Sequence, residues 1–173
     1  MASELGNSPW VVLSEGVEVQ TPLTVGVATV AISFLVLVMW IPLRQPLGLG
    51  TVANAIVIGV AIDVSLLWLP GTGDLVARYA LVIVGIALVG AGSGLYLTSF
   101  LGPGPRDGLM TGISRRSGLS LRAVRTGLEV CALTSGWLLG GTVGVGTLAF
   151  ALLVGPAVQA AVMALAARPL HEL

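Results

Sequence analysis

Long apolar runs, separated by short breaks rich in glycine and proline, set the pattern of this chain. The runs cover residues 22–41, 51–68, 76–100, 119–139 and 146–166. Each is about twenty residues long, enough for a helix to reach the ~30 Å of a bilayer's hydrocarbon core. The breaks hold the residues that stop helices. Pro42, Pro46 and Gly48-Leu49-Gly50 follow the first run, and Pro70, Gly71 and Gly73 follow the second. Thr51 is expected to cap the helix of the second run. Two further stretches, near 9–19 and 105–116, read as short helices that do not span. Each has a proline at its first helical position, and Ser8 is the expected N-cap of the first. No stretch alternates in the pattern of an outer-membrane barrel. The expected fold class is therefore all-α, a polytopic helical membrane protein with five transmembrane helices.

The pattern also repeats. Leu5, Gly6, Pro9, Leu13 and Gly16 recur 96 residues later as Leu101, Gly102, Pro105, Leu109 and Gly112. Gly48-Leu49-Gly50-Thr51 returns as Gly144-Val145-Gly146-Thr147 in the same register. Without gaps, Leu5–Trp68 and Leu101–Ala164 share 15 identities in 64 positions. The shared glycines and prolines argue for an internal duplication, since they fix turns rather than merely add apolar bulk. Three runs separate a position from its partner, and an odd number of crossings turns the second copy upside down. Two inverted repeats are expected, at 1–69 and 70–173, the plan of many secondary transporters. The second has a leading helix over 76–100. The first is N-terminally incomplete by comparison, so symmetry places a leading helix upstream of Met1.

Composition strengthens the membrane reading. The chain has 173 residues, 55% hydrophobic and 9% charged, with mean hydropathy +1.01. Soluble domains carry about 25% charged residues. Net charge is zero and all eight basic residues are arginine. Five of them lie between Arg106 and Arg125, too local for a nucleic-acid footprint. One cysteine and one histidine leave no metal cluster and no nucleophile–base pair, so no enzyme activity, metal or cofactor is expected. Arg44, Arg106, Arg115, Arg116 and Arg168 fall on one side of the expected topology. The positive-inside rule makes that side cytoplasmic, with the N-terminus outside and the C-terminus inside.

Candidate chemistry gathers in the second repeat. Arg122, Arg125 and Glu129 are spaced i, i+3, i+7 and share one helix face. Glu129 lies about ten residues into its run, where a lone charge costs at least ~2.5–3.5 kcal/mol. It needs a partner, and Arg125 one turn back is the nearest. That face reads either as a polar path for a solute or as an ion pair that fixes helix packing. Asp63 and Asn54 are polar residues within the second run, candidates for a proton or cation site or for interior hydrogen bonding. The two Gly-x-Gly-Thr turns offer free N–H groups to an anion, or simply lead into capped helices. Arg106 and Asp107 open the second short helix, either on a re-entrant break that lines a cavity or on an interfacial elbow.

Gly102-Pro103-Gly104-Pro105-Arg106-Asp107-Gly108-Leu109-Met110 resembles the YczE-like bacterial integral membrane proteins, within the YczE/YyaS/YitT grouping. The opening Leu5–Trp10, the turn before Thr51 and the stretch Ile58–Asp63 fit the same resemblance. It implies a multi-pass protein of the bacterial plasma membrane that usually begins with one more hydrophobic helix. It carries over no functional residues. The expected function is a small secondary carrier or permease-like protein for a small, anionic or zwitterionic solute. Arg106, Asp107, Arg122, Arg125, Glu129 and Asp63 would line its site. The alternative is a non-transporting scaffold or regulator that binds a partner through the cytosolic arginine loop. The expected partners are the lipid bilayer, a small-molecule solute and a second copy of the chain.

Overall fold

The structure, a computed structural model, describes residues 5–68, 74–98 and 102–166. Most of the turn expected at 69–74, the leading Leu101 of the second motif, and Arg168 and His171 lie outside them. Seven helices are described: α1 (Pro9–Gln20), α2 (Val25–Leu43), α3 (Leu49–Trp68), α4 (Leu75–Thr98), α5 (Pro105–Ser117), α6 (Leu121–Leu138) and α7 (Val145–Ala166). Four of them, α2, α3, α4 and α7, are long and apolar enough to cross a membrane. Their outer faces are apolar, with Leu35 65%, Leu88 67% and Leu152 74% exposed. Water would not tolerate that much apolar surface, whereas lipid does. α6 has the length but carries Arg122, Arg125 and Glu129 within it.

Local chemistry sets the helix starts. The Thr24 hydroxyl accepts from Val27 N at 3.2 Å and caps α2. Ninety-six residues on, the Ser120 hydroxyl accepts from Ala123 N at 3.3 Å and caps α6. α1 and α5 start at Pro9 and Pro105, whose missing N–H leaves no donor unsatisfied. Ser8 sits at the N-cap of α1, but its side chain makes no capping bond, so proline alone starts that helix.

Thr51 corrects a simpler expectation. α3 begins at Leu49, so Thr51 lies inside its first turn and is fully buried. Its hydroxyl accepts from Gly48 N at 3.3 Å and donates to the Pro103 carbonyl at 2.7 Å. Thr147 does the same local job, accepting from Gly144 N at 3.3 Å. The loop before each short helix seats on the turn before the other half's last long helix. Gly6, at φ +99°, lies against Gly144 and Thr147, and Gly102, at φ +110°, lies against Gly48 and Thr51. Gly146 N donates to the Leu5 carbonyl at 2.7 Å. Only glycine fits the two loop positions, because φ is positive there and a Cβ would strike the opposing threonine hydroxyl. Each of these turns therefore seats the opposing loop.

Each short helix likewise packs across to the other half, α1 on α6 and α5 on α2. The core lies at the second crossing. Val36, Leu37, Trp40 and Leu109 are buried there, with Trp10, Ile32, Leu43, Ile113 and Leu128 packed around them. The Trp40 ring lies on Gly108, and its Nε1 donates to the Pro105 carbonyl at 3.0 Å. At the first crossing bulk and space are exchanged. Gly136, the counterpart of Trp40, lies on the backbone of Val12, the counterpart of Gly108.

The flanking helices are arranged less evenly. α3 packs on α2, with Gly26 and Gly59 backbone to backbone. α7 instead packs on α4, where Gly90 meets Ala157 and Gly94 meets Ala161. Small residues let helices approach this closely in lipid. Gly155, the counterpart of Gly59, faces open space.

Candidate functional site

The first turn of α5 projects Arg106 and Asp107 toward α6 and α4. Arg106 Nη1 lies 3.2 Å from Glu129 Oε1, both side chains being partly exposed. Asp107 Oδ2 accepts from Tyr96 Oη, at the end of α4, at 3.3 Å. Gly104 packs beneath them. A Cβ there would lie 3.0 Å from Tyr96 Oη and 3.4 Å from both Asn54 Oδ1 and Asp107 Oδ2. Thus α3, α4, α5 and α6 each bring polar atoms to one locality. Arg106, Asp107, Met110, Arg125, Leu128 and Glu129 line a cleft of about 10 Å³. That volume holds no more than about one water. The cleft is closed in this conformation.

Four of the six candidate residues therefore come together: Arg106, Asp107, Arg125 and Glu129. The partner of Glu129 differs from the expected one. Arg106 holds it, and Arg125 lines the cleft beside it without an ion pair among the described residues. A cation placed N-terminal to a carboxylate at i, i+4 is the weaker orientation on a helix. The neighbouring helix supplies a better partner.

Arg122 and Asp63 stand apart. Arg122 is exposed in the first turn of α6 and does not line the cleft. Asp63 reaches from α3 to the start of α2. Its Oδ2 accepts from the Thr24 hydroxyl at 2.6 Å and its Oδ1 from Gly26 N at 2.8 Å. A carboxylate there satisfies orphan N–H groups and sits at the positive end of the helix dipole. Its role is a cap supplied from the neighbouring helix. Asp63→Ala is expected to lower stability by about 0.5–2 kcal/mol, as losses of side-chain caps do. A thermal melt of the detergent-solubilised protein reads this, and an unchanged melt would refute the capping role.

Sequence reasoning missed Tyr96. It sits at the polar end of an otherwise apolar helix, eleven residues before Asp107. The only signal was a hydroxyl-bearing ring close to the Gly-Pro-Gly-Pro break. Glu15 was missed as well. Its carboxylate accepts from Asn7 Nδ2 at 3.0 Å, Thr142 N at 2.8 Å and Thr142 Oγ1 at 2.9 Å. It ties α1 to the loop before α7.

A family of unknown function, DUF6198, matches this chain over residues 1–162. The chain belongs to that family. It is 45% identical over 157 residues to an uncharacterized protein of Haemophilus influenzae strain Rd, covering 91% of this chain and 72% of that one. It is 34% identical over 152 residues to the uncharacterized membrane protein YczE of Bacillus subtilis strain 168, covering 87% of this chain and 71% of YczE. No solved structure matches. The YczE likeness read from the Gly-Pro-Gly-Pro motif therefore holds across nearly the whole chain. A YczE-like relative named as a membrane protein, together with four apolar helices of spanning length, makes this a helical membrane protein.

Proposed function

We propose that the chain is a small secondary carrier of the bacterial plasma membrane, permease-like, for a small anionic or zwitterionic solute. The observation that carries this reading is the convergence of Arg106, Asp107, Arg125 and Glu129 on one cleft among apolar helices, with Tyr96 bonded to Asp107. Charged groups in such surroundings are expensive, and by default they mark a solute or ion path.

Two inverted repeats, at 1–69 and 70–173, would frame the cleft, with α6 as the fifth span. The support is the recurrence, 96 residues apart, of caps, positive-φ glycines and threonine-braced turns. The unequal placement of α3 and α7 supports it too. In a carrier of this plan, exchanging the conformations of the two halves moves access from one face to the other. One half would be closed at Gly26–Gly59 while the other stands open at Gly155. The arginine-bearing side would be cytoplasmic, with the N-terminus outside and the C-terminus inside.

Uptake into reconstituted vesicles tests this. The probes are radiolabelled inorganic phosphate, a small carboxylate and a zwitterionic amino acid. Saturable uptake of one of them is expected. Asp107→Asn and Arg125→Gln should each lower it at least about tenfold, the effect of roughly 1.4 kcal/mol per lost contact. Asp63→Asn should leave it within about twofold, because it keeps the fold and stands away from the cleft. Unchanged flux in both cleft variants would overturn the assignment. The second reading, a regulator that binds a partner through the arginine loop, is favoured by the exposure of Arg115 and Arg116. The absence of uptake for all three probes would favour it.

A further inference from the structure

A larger concavity lies away from the cleft, where the last turn of α2 meets the last turn of α5. It is an open basin of about 680 Å³, lined by Ile41–Gln45, Gly112, Arg115 and Arg116. Three arginines enter it, and no carboxylate lines it. Part of this basic character serves the fold. Arg116 Nη1 donates to the Pro42 carbonyl at 2.6 Å, satisfying one of the orphan acceptors at the end of α2. Arg44 and Arg115 have no such partner among the described residues. Arg44 is also the αL C-cap of α2, at φ 51°, the conformation that helices usually give to glycine. The chain thus carries a long cationic side chain where glycine would be less strained. Gln45 adds an amide donor at the rim.

Depth fixes what can reach this place. α2 is a candidate span ending at Leu43, so the basin opens just past the end of an apolar run, at the level of lipid headgroups. Guanidinium groups at that level match phosphate oxygens in charge and in forked geometry. Basic pockets between helices at this depth take phosphate-bearing headgroups. We propose that the Arg44–Arg115–Arg116 basin is a binding site for a phosphate group, presented by an anionic phospholipid headgroup or by a soluble phosphate ester. The volume exceeds one phosphate, which leaves room for the esterified alcohol that either source carries.

The test uses the full chain and two arms. In the lipid arm the protein sits in nanodiscs of phosphatidylcholine with and without phosphatidylglycerol. Retained lipid is counted by native mass spectrometry. In the soluble arm, glycerol 3-phosphate is titrated against the detergent-solubilised protein and binding is read by calorimetry. Arg44→Gln with Arg115→Gln leaves the Arg116–Pro42 bond in place and so preserves the fold. Each arginine near a headgroup contributes about fivefold in affinity, so this double variant should lose roughly twenty-five-fold in whichever arm binds. Arg122→Gln, outside the basin, should lose less than about twofold. Selective retention of phosphatidylglycerol assigns the lipid source, and saturable glycerol 3-phosphate binding assigns the soluble one. Binding in neither arm, or binding that survives the double variant, overturns the proposal. So does binding of a polyglutamate peptide with no response to either phosphate probe, which would make the basin a protein-docking surface.

Discussion

Gly108→Val is expected to leave little folded protein, because a side chain at position 108 would have to occupy the space of the Trp40 ring. Trp40 is 1% exposed and tied to Pro105, so it cannot swing aside without giving up its hydrogen bond. Overpacking of a tight core costs about 1–3 kcal/mol and sometimes more. Here the clash falls on the one ring at the centre of the core, so the upper end is expected. Trp40→Ala alone should cost about 3–5 kcal/mol through the cavity it leaves. The two changes should not add. With the ring gone the valine has room, and the pair then resembles the other crossing, where Val12 meets Gly136. The double variant should be no less stable than Trp40→Ala alone. Thermal melts of the four proteins in one detergent check this, and additive losses would show that Trp40 is not what Gly108 accommodates.

That pairing shows what a sequence does and does not disclose. Pro9 and Pro105 act on residues within a turn of themselves, so the helices they start could be read directly, whereas α2 and α6 were legible from their apolar runs and not from their Thr24 and Ser120 caps. The exchange of Trp40 and Gly136 against Gly108 and Val12 was present in the aligned halves. Its meaning depends on which helices cross, and composition does not say. The same holds in the cleft. Glu129 was recognisable as a costly charge, but helix geometry offered only Arg125 on the same helix. Arg106 became its partner because α5 lies against α6, a choice made by tertiary packing. Asp63 was judged from its own run alone, while its hydrogen-bond donors sit 37 and 39 residues earlier in the chain. Thr51 read as a local cap for the same reason, and its donor bond goes to a loop 52 residues away.

Breaking the Arg106–Glu129 pair should hurt the fold and the proposed transport differently. Glu129→Ala leaves the Arg106 guanidinium without its ion-pair partner. Removing one member of a buried pair costs about 3–5 kcal/mol. The side chains here are 39% and 22% exposed, so a loss of about 2–3 kcal/mol is expected. Arg106→Met with Glu129→Leu removes both charges and keeps the bulk. Its stability should lie within about 1 kcal/mol of the parent, because burying an ion pair brings little net gain over well-packed apolar groups. If the pair serves a solute, uptake should be lost in that stable variant. Melting and uptake measured on the same preparation separate the two roles. A stable double variant with normal uptake would reduce the pair to a packing device.

The crossed seating of the two loops has a consequence for synthesis. The Leu5 carbonyl accepts from Gly146 N, and Gly6 lies against Gly144 and Thr147. These residues thus wait for a turn made far later in the chain before they can dock. Neither half can therefore complete its packing before the other is made. A chain that stops before this turn should be recognised as unfinished and degraded.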